Sequence, residues 1–152
     1  MSQPERKRWT TSDFESMGWH DNAVHAFRIE EGEDGEGELI LDIDYIEEWL
    51  SGEKHFEFVV CPATLQFHQV TDLRVSLDYV SPSAGLCPFS LHEIEREEHV
   101  YPNGYASFAW ALRVNWPDGE ITFRSPGFTQ SQTSASVRSE RQSLRPAERS
   151  ES

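Results

Sequence analysis

Apolar and polar side chains alternate along most of this chain, which is the pattern of β-strands that bury one face. The first two alternating runs cover residues 25–29 and 39–45. The stretch EEGEDGEG between them is acidic and rich in glycine, a composition typical of a hairpin loop. The pattern therefore predicts two antiparallel strands joined by a hairpin.

The middle of the chain carries three further apolar runs, at residues 56–60, 65–67 and 73–79. Pro62 lies between the first two of them. Because proline has no amide hydrogen to give to a neighbouring strand, this position predicts a sheet edge, a bulge or a corner. The third run alternates strictly with polar residues, which predicts a strand with one solvated face.

Strands and turns are clearest in the last third of the apolar part of the chain. Weak alternation over residues 94–100 is followed by a Pro-Asn-Gly turn and by strong alternation over residues 108–116. Pro117 and Gly119 then indicate a second turn, because proline presets the first central position of a turn and glycine tolerates a positive φ. With a return strand through Phe123, this pattern predicts a three-stranded antiparallel meander.

About seven short strands without a long helical period predict an all-β fold, either an antiparallel sandwich or a curled meander sheet. Residues 44–50 could form one short helix or prolong the preceding strand. We expect a flexible N-terminal segment at residues 1–12, a single antiparallel β domain at 13–128 and a disordered Ser/Arg/Glu-rich tail at 129–152. The tail contains only two large aliphatic residues, which is too few to offset the entropy of ordering it.

The chain is strongly acidic, and the charge limits its partners. Its formal net charge is −14, and residues 9–128 contain 23 acidic and six basic residues. A surface of this sign repels phosphate groups, so we expect no nucleic-acid binding by the folded domain and no membrane binding. It would attract a basic protein. With no signal or membrane segment, and with Cys61 and Cys87 as unpaired thiols, we expect a cytoplasmic protein without a cofactor.

Residues around the first hairpin are candidates for metal binding. His20, Asp21 and His25 follow an H-D-x-x-x-H spacing, and Asp42 and Asp44 share one face of the adjoining strand, roughly 7 Å apart. Together they could ligate a metal ion, and the aspartate spacing also resembles the carboxyl pair of an inverting glycosidase. The alternatives are a solvated face for the aspartates, and capping or core hydrogen bonds for the histidines.

Two tryptophans are candidates for contact with a partner. Trp19 and Trp49 lie near predicted strand ends, where partial exposure is expected, and Asp42 and Asp44 would add negative charge to the same surface. The chain contains no nucleophile elbow, phosphate-binding loop or dinucleotide motif. The sequence therefore favours a binding protein over an enzyme.

Four segments, WHDNAVHAFRI, LILDIDYIEEW, FVVCPATLQFHQVTDL and GEITFRSPGFTQ, resemble those of a family of small uncharacterised bacterial proteins. The resemblance covers about residues 19–130 and rests on the motifs W-H-D, L-D-I-D-Y-I and P-A-T-L-x-F. It implies no assigned activity.

Two functions from different classes follow. The favoured hypothesis is an acidic interaction module that engages a basic protein, by analogy of charge with bacterial immunity proteins that neutralise nucleases. The alternative is a metal-binding protein or metal-dependent hydrolase that uses His20, Asp21, His25, Asp42 and Asp44. Small-ligand binding in the mouth of a β-barrel, and self-association through an exposed edge strand, are further alternatives.

Overall fold

The computed structural model describes residues 6–51, 56–80 and 85–144. The chain forms an all-β fold in which the described strands belong to one antiparallel sheet. The strands are β1 (Arg8–Thr10), β2 (Ala23–Glu31), β3 (Gly37–Ser51), β4 (Phe56–Leu77), β5 (Phe89–Val100), β6 (Ala106–Trp116), β7 (Gly119–Ser125), β8 (Gly127–Gln132) and β9 (Val137–Ser139). A 3₁₀ helix spans Thr11–Ser16.

The sheet closes on itself. Six strands follow one another in the order β4, β3, β2, β5, β6, β7, and β7 then pairs with β4 again. The junction between β2 and β5 is short, since only Ala23 and Val24 of β2 pair with β5. The curled sheet predicted from the alternation is therefore confirmed, and it is closed tightly at most junctions and loosely at one.

β4 is paired along both edges. One edge pairs with β3 from Phe56 to Val70. The other edge pairs first with β9, then with β8 and finally with β7. Pro62 lies between the residues that pair with β8 and those that pair with β9, and its carbonyl accepts a hydrogen bond from the Thr133 amide at 2.9 Å. The missing amide hydrogen of Pro62 thus falls where the neighbouring strand is interrupted, as a proline in a sheet requires.

The interior of the closed sheet is apolar and aromatic. Phe67 occupies its centre, with ring centroids 4.6 Å from Phe123 and 5.1 Å from Trp110. The Trp110 indole N–H donates to the Ser125 carbonyl at 2.9 Å, so its burial leaves no donor unsatisfied. The largest residues that are fully enclosed here come from β2 to β7: Val24, Leu39, Leu41, Ile43, Leu65, Phe67, Leu91, Trp110, Leu112 and Ile121.

A second apolar cluster lies on the outer face of β3 and β4. Ile46, Phe58 and Val60 point outward there and are covered by Leu144, with Val137 packed against them. The tail predicted to be disordered from Thr129 is therefore ordered as far as Leu144, through β8, β9 and this contact. Its two large aliphatic side chains are enough to hold the tail in place because they pack on an apolar surface that the sheet already exposes. Residues 145–152 lie outside the described residues.

The N-terminal segment also differs from the prediction. β1 pairs with β8, and the 3₁₀ helix follows immediately, so residues 8–12 are not a loose leader. The helix brings Phe14 against Trp110, with ring centroids 5.5 Å apart. Residues 1–5 lie outside the described residues.

Several local predictions are confirmed. β2 and β3 form the hairpin around the acidic glycine-rich loop, and β5, β6 and β7 form the three-stranded meander. Residues 44–50 prolong β3 and do not form a helix. Cys61 is buried and Cys87 is exposed, and burial raises the pKa of the Cys61 thiol to about 11. Among the described residues, no helix has the length and apolar character to cross a bilayer.

Closure between β4 and β7 predicts sensitivity at one glycine. A Cβ added at Gly119 would lie 2.2 Å from the backbone oxygen of Ser76 on β4. Gly119→Ala should therefore lower the free energy of unfolding by roughly 1–3 kcal/mol, measured by urea denaturation. Gly18→Ala is the matched control, because an added Cβ there meets no heavy atom within 4 Å. Equal stability of the two variants would show that the closure does not depend on this close approach.

Candidate functional site

The five predicted metal ligands do not form one set. His25 Nε2 lies 2.6 Å from Asp44 Oδ2, whereas His20 Nε2 lies 3.5 Å from Asp21 Oδ2, and Asp42 is half-buried on β3. In the described ranges, no three His, Cys, Asp or Glu side chains are arranged to hold a metal ion.

His25 meets Asp44 because of a bulge in β2. The register between β2 and β3 shifts between Val24 and Ala26, which makes His25 the extra residue. A bulge re-aims the side chain that it carries. The pair lies on the outer face of the sheet, opposite the interior residues of β3.

Asp44 is buried, which corrects the prediction that it faces solvent. Its side chain is 0% exposed. The alternation placed Asp44 correctly on the face opposite Ile43, but the C-terminal segment covers that face. The Leu144 amide donates to Asp44 Oδ2 at 2.8 Å, the same oxygen that His25 contacts. A carboxylate in this position holds the C-terminal segment and is not available to a partner.

The neighbouring Asp21 is tied to the same segment. Gln142 Nε2 donates to Asp21 Oδ2 at 3.0 Å, and Asn115 Nδ2 donates to Asp21 Oδ1 at 2.5 Å. Asp21 has a φ of 61°, a conformation that aspartate tolerates better than most residues. Asp21 and Asp44 therefore anchor the chain between β9 and Leu144.

Trp19 is also buried, contrary to its predicted role in partner contact. It is 3% exposed and packs edge-to-face on Phe128, with ring centroids 5.9 Å apart. Its indole N–H donates to Gln130 Oε1 at 2.9 Å. Because this bond satisfies the only polar atom of the ring, Trp19 can join the core.

Trp49 differs from Trp19, since 51% of it is exposed. Its ring stacks on His20 at 6.0 Å between centroids and meets Phe58 edge-on at 5.0 Å. Of the four residues predicted to contact a partner, Trp49 thus has the exposure that this role requires.

A groove of about 370 Å³ lies at one end of the closed sheet, beside the β2–β3 hairpin. Its apolar lining comes from Ile29, Leu39, Val70 and Leu73. Its polar lining comes from the hairpin and from the bend in β4: Glu31, Glu36, Glu38, Thr71 and Asp72. The groove combines an apolar floor with an acidic rim.

The bend in β4 beside the groove is held by Glu38. Gln69 and Asp72 have φ values of 48° and 55°, in the left-handed region that non-glycine residues seldom occupy. Glu38 accepts hydrogen bonds from the Gln69 amide at 2.7 Å, from His68 Nδ1 at 2.7 Å and from Gln66 Nε2 at 3.0 Å. Burial raises the pKa of Glu38, but these bonds outweigh burial and hold the pKa below its ordinary value of 4.5.

The acidic residues at the hairpin tip are not neutralised. Elsewhere on the surface, cations pair with carboxylates, as Arg113 does with Glu95 and Glu120. Within the described ranges, no cation pairs with the four tip residues Glu31, Glu33, Asp34 and Glu36. The tip therefore presents four acidic side chains without a paired cation next to the groove.

Comparison with known proteins adds no assignment. No protein-family model matches the chain, and no curated protein or solved structure matches it. The resemblance to a bacterial family stays a prediction.

The interpretation of the sequence missed this end of the sheet as a site. The stretch EEGEDGEG was interpreted as a hairpin loop. The gap between the apolar runs at 65–67 and 73–79 coincides with the bend in β4, but it was not interpreted as part of a site. The usable signal was the density of acidic residues at a hairpin tip, next to a β2 strand that carries Phe27 and Ile29.

The contact between Asp44 and the C-terminal segment predicts a stability effect. Asp44→Ala would leave the buried Leu144 amide without its acceptor, at a cost of about 1–3 kcal/mol in the free energy of unfolding. Asp44→Asn keeps an acceptor oxygen and should cost less. Urea denaturation measures the stability, and limited proteolysis should cleave the alanine variant faster beyond Gln132. Identical cleavage of the two variants would contradict this role of Asp44.

The lowered pKa of Glu38 predicts a dependence of stability on pH. A carboxylate whose pKa is lower in the folded state stabilises the fold above its unfolded pKa, and this contribution is lost as the pH falls through the folded value. Glu38→Gln should therefore cost about 1–2 kcal/mol at pH 7, and the difference from the parent chain should shrink below about pH 4.5. Glu33→Gln, at the exposed tip, is the control. A Glu38→Gln effect that is the same at pH 7 and pH 3 would contradict the assignment.

Proposed function

We propose that this chain is a non-enzymatic interaction module that binds a basic protein at the hairpin end of its closed sheet. The observation that carries the proposal is the juxtaposition of four unneutralised carboxylates at the hairpin tip with an apolar groove of about 370 Å³. Concentrated negative charge attracts a basic partner from solution, and an apolar groove gives it a place to bury side chains.

The distribution of charge supports this location. Lys7, Arg96, Arg113 and Arg138 form ion pairs on other parts of the surface. Arg28 pairs with Glu30 on β2, and Arg124 pairs with Asp72, so neither pairs with a tip carboxylate. A partner with complementary charge would therefore be directed to the tip, where the field is not cancelled locally.

Immunity proteins that occupy the anionic-substrate cleft of a nuclease offer an analogy for such a surface, and the analogy is one of charge alone. The same charge disfavours nucleic acids and anionic membranes as ligands of the folded part. A cytoplasmic location belongs to this proposal, since two cysteines provide no disulfide framework of the kind that secreted domains use.

The experiment compares two variants with the same change of charge. The tip variant carries Glu31→Gln, Glu33→Gln, Asp34→Asn and Glu36→Gln, and asparagine suits position 34, where φ is 56°. The control variant carries Glu48→Gln, Glu97→Gln, Glu98→Gln and Glu140→Gln, all at exposed positions away from the tip.

We expect the parent chain and the control variant to retain basic proteins from a cell extract at low salt and to release them at high salt. The tip variant should retain at least tenfold less, measured by quantitative mass spectrometry. Equal retention by both variants would place binding elsewhere, and no salt-sensitive basic protein on the parent chain would overturn the proposal.

A further inference from the structure

We infer that the partner binds as an extended basic segment that adds a strand to the free edge of β2. This inference rests on the proposed function and specifies how the basic partner is held.

From Ala26 to Glu31, one edge of β2 pairs with none of the described strands. β2 pairs with β3 along its other edge as far as the hairpin, but among the described strands only β5 contacts the free edge, through Ala23 and Val24. The stretch from Ala26 to Glu31 is long enough to pair with about six residues of a partner, over roughly 20 Å at ~3.4 Å per residue.

The backbone of this stretch presents hydrogen-bonding groups outward. The Gly32 amide donates to the Glu36 carbonyl at 2.9 Å, so these two residues form a hydrogen-bonded pair at the end of the hairpin. This pair shows which residues of β2 bond to β3. In an antiparallel pair every second residue bonds across to its partner, so Glu30 and Arg28 point their backbone groups towards β3. Ile29 and Phe27 accordingly direct their N–H and C=O groups away from β3, towards the free edge.

The side chains of the same residues are apolar and accessible. Ile29 is 64% exposed and Phe27 is 38% exposed, although each is paired across to an interior residue of β3, Leu39 and Leu41 respectively. They are exposed because β5 begins at Phe89, opposite Val24, and runs away from this part of β2. An added strand would cover both side chains and direct every second side chain of its own towards the groove that Ile29 lines.

Charge decides which occupant this edge takes. A second copy of the chain would bring another net charge of −14 to the same place, which opposes self-pairing. A segment that alternates Lys or Arg with aliphatic residues places its aliphatic side chains over the groove. Its cations then lie on the opposite face of the added strand, within the negative field of the hairpin tip. The edge and the groove therefore favour an extended, basic, amphipathic segment.

The test uses defined peptides as probes. The first is a capped seven-residue peptide of alternating lysine and valine with a fluorescent label. The second has the same sequence with N-methyl groups on two adjacent central amides, which keeps its charge and side chains but blocks hydrogen bonding on both strand edges. Fluorescence anisotropy at low salt measures both affinities for the parent chain.

We expect the unmethylated peptide to bind at least tenfold more tightly than the methylated one, with amide NMR shifts concentrated at residues 25–31. Equal affinities would overturn strand addition. The proposal of a basic partner would still stand, because the comparison of the tip and control variants tests it separately. Failure of both peptides to bind would also overturn strand addition.

A matched pair of variants tests the same edge from the protein side. Ile29→Pro and Ile29→Ala both remove the side chain, but only proline removes the outward amide hydrogen, and proline is tolerated at a strand edge. Ile29→Pro should bind the unmethylated peptide at least tenfold more weakly than Ile29→Ala. Sedimentation velocity provides a further arm: a parent chain that is dimeric while Ile29→Pro is monomeric would assign the edge to a second copy and overturn the inference.

Discussion

The pairing of β4 along both of its edges is the constraint on which the rest of the structure depends. Since β3 occupies one edge and β9, β8 and β7 share the other, β4 joins the N-terminal hairpin to the C-terminal strands. This arrangement closes the sheet and encloses Phe67, Trp110 and Phe123. The weakest junction of the closed sheet lies elsewhere, between β2 and β5, where β2 contributes only two paired residues.

The two apolar clusters follow from the same strand. The odd-numbered residues of β4 from Cys61 to Phe67 face the interior, whereas Phe58 and Val60 face outward. An outward apolar patch in the middle of a sheet needs a cover, and Leu144 supplies it. Burying that patch also buries Asp44, whose charge is accommodated by hydrogen bonds from His25 and from the Leu144 amide. The histidine–carboxylate pair is thus explained by the docking of the C-terminal segment.

The alternation of residues predicted the strands because each strand in the closed sheet has an apolar interior face, and the turns at the acidic hairpin and at Gly119 followed from their composition. Exposure was harder to predict. Alternation told which face Asp44 is on, but it could not tell that a distant segment covers that face. Trp19 was placed at a strand end, yet its burial depends on Gln130, which lies 111 residues away and accepts its N–H. The burial of Asp44 and Trp19 depends on contacts between parts of the chain that are far apart in sequence. A local pattern of residues cannot predict such contacts.

The double pairing of β4 has a consequence for biosynthesis. β4 ends at Leu77, and the strands that cover its second edge begin at Gly119, about 40 residues later. At a translation rate of roughly 5–20 residues per second, the second edge of β4 stays unpaired for several seconds while the ribosome synthesises the strands that will pair with it. An uncovered strand of this length is a template for aggregation, so production of the chain in cells should benefit from slower initiation, lower temperature or chaperones that shield nascent strands.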